Sequence, residues 1–173
     1  MPRRIARRGY LRARCRLEST VASLELRVPP VAVVLIAAAL AWLVDRAVPS
    51  LRLAFPASVA IASALAIAGA LVAAAGVIRF RRARTTVNPM TPDAATSLVA
   101  DGVYRWTRNP MYLGFLIALA GWAVYLANIG SALVLPLFVL YMNRFQIAPE
   151  EHALAARFGR QFEDYRRAVR RWL

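Results

Sequence analysis

The sequence predicts an all-α integral-membrane bundle of about four transmembrane helices, with a helical hairpin and a C-terminal amphipathic helix at the interface. Three observations predict it. Of the 173 residues 60% are apolar and mean hydropathy is +0.48, more than a soluble domain of this size needs to fill a core. Charged residues are absent from three long runs. The arginines collect in alternate connections between those runs, as they do in membrane proteins.

Val28 to Val44 gives the first span, 17 residues without a charge, and Leu53 to Ile78 gives the second, 26 residues. At a 1.5 Å rise the second crosses a hydrocarbon core of about 30 Å with some tilt. The first is read as a membrane helix and not a cleaved leader, because its apolar part begins only near residue 28 and no small-residue cleavage pattern precedes Asp45-Arg46. Met111 to Asn143 holds 33 uncharged residues, too many for one crossing. Asn128-Ile129-Gly130-Ser131 near its middle supplies turn chemistry, so this run is two helices of a hairpin. The chain thus divides into a basic tail (1–27), two membrane helices (28–84) and a segment holding a loop, the hairpin and a C-terminal helix (85–173).

Small residues mark how the helices pack. Ala62, Ala66, Gly69, Ala73 and Gly76 line one face of the second span, and Gly114, Ala118 and Gly121 line one face of the third. Such faces let helices approach closely in lipid, where packing replaces the hydrophobic effect. The loop from Thr85 to Arg105 carries Asn88-Pro89, Thr91-Pro92 and Asp101-Gly102, which end helices and form turns. Its apolar Leu98 and Val99 suggest that it packs down. Beyond the hairpin, Leu154, Phe158, Phe162, Tyr165, Val169 and Trp172 form one apolar stripe opposite an arginine-rich face, which predicts a helix lying in the membrane interface.

The formal net charge is +14, and all 23 basic residues are arginine. That balance invites a nucleic-acid reading, but position answers it differently. Arginines crowd the tail, the loop from 79 to 108 and the C-terminal segment, while the other two connections hold only Arg46 and Arg52. The positive-inside rule then puts both termini and the loop in the cytoplasm, with a bacterial inner membrane as the expected location. There the arginines face anionic lipid headgroups, each worth about 1 kcal/mol near a charged surface. Cys15 and His152 each stand alone, so neither zinc spacing nor a serine or cysteine triad can be assembled and no metal is expected.

The polar residues that carry chemistry sit at the two ends of the hairpin: Arg108-Asn109-Pro110-Met111-Tyr112 before it and Glu150-Glu151 after it. Folding the hairpin brings residues about forty apart in sequence to one membrane face. Taken singly, each has an ordinary role. Acids in a first helical turn favour the helix dipole, Asn-Pro starts a helix, and tyrosines such as Tyr104 and Tyr112 anchor at interfaces. Their assembly opposite an acidic pair is what points to a site, since ionisable groups near that depth are costly unless used.

The ordered stretches Leu98-Val99-Ala100-Asp101-Gly102-Val103-Tyr104, Arg108-Asn109-Pro110-Met111-Tyr112-Leu113-Gly114 and Glu150-Glu151, followed by Leu154, Phe158-Gly159 and Tyr165, resemble the isoprenylcysteine carboxyl methyltransferase and phospholipid N-methyltransferase superfamily. The resemblance covers roughly residues 85–173. It implies an integral-membrane enzyme that binds S-adenosylmethionine without a Rossmann sheet, in agreement with the lack of a G-x-G-x-x-G after a strand. It further implies cofactor contacts from Thr96, Ser97, Leu98 and Val99 in the loop, from Tyr104, from Asn109, Pro110, Met111 and Tyr112, and from Glu150. Methyl transfer would proceed by in-line displacement, without a metal or a covalent nucleophile, to an acceptor that partitions into the membrane.

Two positions depart from the pattern. Asn109 stands where many members have histidine, and Gln146 stands where the prenylcysteine enzymes have an arginine for the substrate carboxylate. Arg144, two residues earlier, is the nearest basic group, so Arg144 and Gln146 are the candidate substrate contacts. The acceptor atom stays open among oxygen, nitrogen and sulfur. The other readings are phospholipid or small-thiol methylation, a nicotinamide-dependent membrane lipid reductase, and a non-catalytic membrane protein.

Overall fold

The computed structural model describes residues 25–53, 56–83 and 96–173. The tail through residue 24 and the turns Asn88-Pro89 and Thr91-Pro92 lie outside these residues. Helix α1 (Pro30–Ala47) opens on Pro29-Pro30, tolerated there because the first-turn N–H groups have no helical partner. It is followed by α2 (Ser58–Arg82) and α3 (Pro110–Leu126). A nearly continuous helical rod then comprises α4 (Ile129–Ala132), α5 (Val134–Met142), a π-helical turn (Asn143–Ile147) and α6 (Ala148–Phe158). Helix α7 covers Arg160–Ala168.

Three of these segments, Pro30–Ala47, Ser58–Arg82 and Ile129–Phe158, are long and apolar enough to cross a membrane, and α3 is a shorter apolar helix. With 17 residues, α3 measures about 25 Å at the α-helical rise. Their exposed surface is apolar where lipid would lie: Leu35, Leu71 and Leu137 are all exposed. The protein is an all-α membrane bundle.

The two small-residue faces meet each other. Gly69 and Gly114 sit so close that a Cβ on either would fall 2.5 Å from the other's carbonyl oxygen, and a Cβ on Gly121 would fall 2.9 Å from the Ala62 carbonyl oxygen. Backbone atoms cannot yield as a side-chain tip can. Helices α2 and α3 therefore share the most extensive contact in the fold, and the stripes serve packing. Gly114→Val is expected to force the pair apart and to cost about 2 kcal/mol, read as a lowered unfolding temperature in detergent. An unchanged temperature would refute this close approach.

At the end of the bundle away from Arg108, the α1–α2 connection is tied to the hairpin turn. Ala127 adopts a left-handed conformation (φ +48) and Asn128 caps α4, its Oδ1 accepting from the Gly130 and Ser131 amides. Asn128 Nδ2 donates to the Val48 carbonyl and to Asp45, whose carboxylate is gripped by both Nε and Nη2 of Arg52 at 2.6 and 2.5 Å. The Leu53 amide donates to the Ala127 carbonyl at 2.7 Å. One short sequence, Asn128 to Ser131, thus turns the chain and fastens the preceding loop to it.

Two features correct the expected C-terminal organisation. The second hairpin arm does not end at Asn143 but runs on to Phe158, so Glu150 and Glu151 ride on the same rod as the membrane helix. Pro149 explains the π-helical turn: lacking an N–H, it leaves the Phe145 carbonyl without its helical donor, and the Leu26 amide takes it at 3.1 Å. The apolar stripe from Leu154 to Trp172 is likewise divided between two helices and a tail. Gly159 (φ +51) turns the chain between α6 and α7, and Val169 leaves α7 in extended conformation. Phe162 remains buried, and Trp172 packs against the core while its Nε1 donates to Asn143 Oδ1 at 3.0 Å.

Candidate active site

The two polar motifs converge as the hairpin geometry predicts. Pro110 in the first turn of α3 places Tyr112 on the inward face, where the side chain is buried and its hydroxyl donates to Glu150 Oε1. Arg108 Nη2 reaches Glu151 Oε1 at 2.8 Å. Residues 38 and 43 apart in sequence thus share one end of the bundle.

Tyr104 lies beside this cluster on a 3₁₀ turn (Gly102–Arg105). Its ring meets Phe80 edge-on, with centroids 5.2 Å apart, and its carbonyl accepts from the Tyr165 hydroxyl at 2.8 Å. The Tyr104 hydroxyl is buried with no hydrogen-bond partner among the described residues. Burial, then the neighbouring Tyr165 and the Glu150 carboxylate, push its phenol above the usual range, so it remains a proton donor. A buried donor without an acceptor costs about 1–3 kcal/mol, which a bound group offering an acceptor would recover.

The C-terminal tail closes over the Arg108 motif. The Arg171 carbonyl accepts from Thr107 Oγ1 at 3.1 Å and from Asn109 Nδ2 at 2.9 Å, and the Arg108 amide donates to the Arg170 carbonyl at 3.0 Å. Arg108 Nη1 reaches the Arg166 and Val169 carbonyls. Arg171 grips Glu151 through Nε and Nη2 at 3.2 and 2.5 Å. Glu151 therefore joins the start of the hairpin to the end of the chain. Asn109 occupies the N-cap position of α3, but its side chain serves the tail and not the helix amides.

The other sequence candidates are placed as follows. Val99 is buried, Leu98 half-buried and Thr96 exposed, while Ser97 Oγ donates to the Ala83 carbonyl at 3.3 Å and so ties the loop to the end of α2. Met111 packs on the core. Arg144 pairs with Glu25 at 2.5 Å and lies over the Phe145 ring. Gln146 is fully buried, with Nε2 donating to the Val28 carbonyl at 2.6 Å and Oε1 without a partner among the described residues. Sequence reasoning missed Thr107, Arg171 and Trp172 as parts of the site. For Arg171 and Trp172 the sequence signal was a surplus of arginine and aromatic residues in the last ten positions, and Thr107 had only its place beside Arg108-Asn109.

A family model for phospholipid methyltransferases matches residues 57–161. The chain belongs to that family. Among proteins similar to it, protein-S-isoprenylcysteine O-methyltransferase B of Arabidopsis thaliana is 34% identical over 103 residues, covering 60% of this chain and 52% of that protein. Protein-S-isoprenylcysteine O-methyltransferase of Schizosaccharomyces pombe is 38% identical over 72 residues, 42% of this chain and 30% of that protein. An uncharacterized Haemophilus influenzae protein is 43% identical over 63 residues, 36% of this chain and 100% of that protein. The chain therefore spans about half or less of the two named methyltransferases. No solved structure gives a significant match. The family segment holds Tyr104, the Arg108–Tyr112 motif and both glutamates, whereas Tyr165, Arg171 and Trp172 lie beyond it.

Proposed function

We propose that the protein transfers a methyl group from S-adenosylmethionine to an acceptor that partitions into the membrane, in the manner of the isoprenylcysteine O-methyltransferases. The observation that carries this reading is the meeting of the Arg108–Tyr112 motif with Glu150 inside the segment that matches the family. The residues fit the cofactor's chemistry. The Glu150 carboxylate suits a cationic group, the unpartnered Tyr104 hydroxyl offers a donor to a carboxylate or a ring nitrogen, and Tyr104, Met111 and Val99 offer apolar and aromatic surface. Asn109, Pro110 and Tyr112 would hold it from the hairpin side, and Thr96, Ser97 and Leu98 from the loop.

S-adenosylmethionine supplies an activated methyl on a sulfonium, so the chain need offer no nucleophile of its own. What its residues contribute is alignment of donor and acceptor at about 3 Å and exclusion of water. The tail that Glu151 fastens over Thr107–Asn109 serves the second task. Arg144, paired with Glu25, and the buried Gln146 are the residues proposed to meet the acceptor. The site faces the cytoplasm of a bacterial inner membrane, with both termini on that side and the surrounding arginines against anionic headgroups. The test is incubation of the purified protein with methyl-labelled S-adenosylmethionine and a lipid extract of its own membranes. Label is expected in an organic-soluble product; its absence from every fraction, with the cofactor bound, would refute the transfer reaction.

A further inference from the structure

A second cluster lies outside the Glu150 site. Arg79, Asp101, Gly102, Arg105 and Trp106 line an open cavity of about 820 Å³ where the charged end of α2 meets the 3₁₀ turn. The turn sends Tyr104 inward, but Arg105 and Trp106 outward, and Trp106 is 78% exposed. We propose that this cavity binds the phosphodiester headgroup of a membrane lipid, held by the guanidinium groups of Arg79 and Arg105.

The geometry supports the charge and the shape. Asp101 Oδ2 accepts from Arg79 Nη1 at 2.8 Å and fixes the guanidinium across the turn. Gly102, at φ +60, makes room for it: a Cβ there would lie 2.3 Å from Arg79 Nε. Arg79 keeps N–H groups for a ligand, and Arg105 has no partner among the described residues. Two guanidinium groups against one carboxylate leave one positive charge, the complement of a phosphodiester's single negative charge. Planar guanidinium forks match phosphate oxygens in pairs.

Position selects a lipid over a soluble phosphate. Arg79 ends the apolar length of α2, whose Ile67, Leu71 and Ile78 are exposed on the bundle surface and offer a path for acyl chains. The exposed indole of Trp106 has the amphipathic character that favours the headgroup level. The headgroup would therefore sit where the helix leaves the hydrocarbon, with its tails along α2.

The test is native mass spectrometry of the delipidated full chain in detergent, with added dioleoylphosphatidylglycerol or the phosphate-free dioleoylglycerol. The wild type is expected to retain the phospholipid at least tenfold more tightly. Arg79→Gln and Arg105→Gln should each weaken retention about tenfold. Arg105→Gln removes no hydrogen bond or ion pair among the described residues, so an unchanged unfolding temperature beside weaker retention is expected. Equal retention by wild type and the double variant, or equal retention of dioleoylglycerol, would overturn the site. Displacement of the lipid by an equal concentration of inorganic phosphate would assign it to a soluble phosphate and overturn the lipid assignment.

Discussion

Glu151→Ala is expected to release the C-terminal tail and to destabilise the protein by about 3–5 kcal/mol, the range for removing one partner of a buried ion pair. Glu151 is buried and takes three hydrogen bonds from two guanidinium groups. Its loss strands Arg108, whose side chain is only 10% exposed, without a counter-charge. Arg108 in turn carries the carbonyls of Arg166 and Val169, so the effect spreads along the tail. Two readouts check it: the unfolding temperature in detergent should fall, and trypsin should cut at Arg170 and Arg171 faster than in the wild type. In an Arg108→Ala background the same change should cost much less, because the stranded charge is gone. An equal cost in both backgrounds would show that the pair contributes no coupling.

How much of this was legible in the sequence depends on the kind of residue. The uncharged runs marked the membrane helices, and the glycine spacing on α2 and α3 identified the faces that meet. Asn128 announced the hairpin turn, although its second role as a partner of Asp45 required the fold. The convergence of Tyr112 with Glu150 followed from hairpin geometry alone. The C-terminal segment was harder, because an apolar stripe with helical spacing does not reveal a break. Gly159 could have ended a helix or sat within it, and the decision fell to the tail's hydrogen bonds with Thr107, Arg108 and Asn109, more than fifty residues away. Arg144 illustrates the same limit. As the basic group nearest Gln146 it is the sequence's candidate substrate contact, while its ion pair with Glu25, 119 residues away, required the fold.

Glu150→Gln carries the second large effect, a loss of cofactor affinity with little loss of fold. Glutamine keeps an acceptor for the Tyr112 hydroxyl but cannot become a carboxylate opposite a bound cation, and a hydrogen bond to a charged group is worth about 1.5–3 kcal/mol, or roughly tenfold to a hundredfold in affinity. Tyr112→Phe is the better partner variant than alanine, because Tyr112 belongs to the core and truncation would leave a cavity. Tyr104→Phe separates binding from structure most cleanly. Its hydroxyl makes no hydrogen bond among the described residues, so its removal should leave stability equal or higher while weakening binding about tenfold. The decisive measurement is isothermal titration of S-adenosylmethionine into the detergent-solubilised wild type and Glu150→Gln, with the unfolding temperature of each recorded beside it. The account predicts saturable binding to the wild type and at least tenfold weaker binding to the variant at a matched unfolding temperature. Equal affinity in the two proteins, or no binding to a folded wild type, would contradict it.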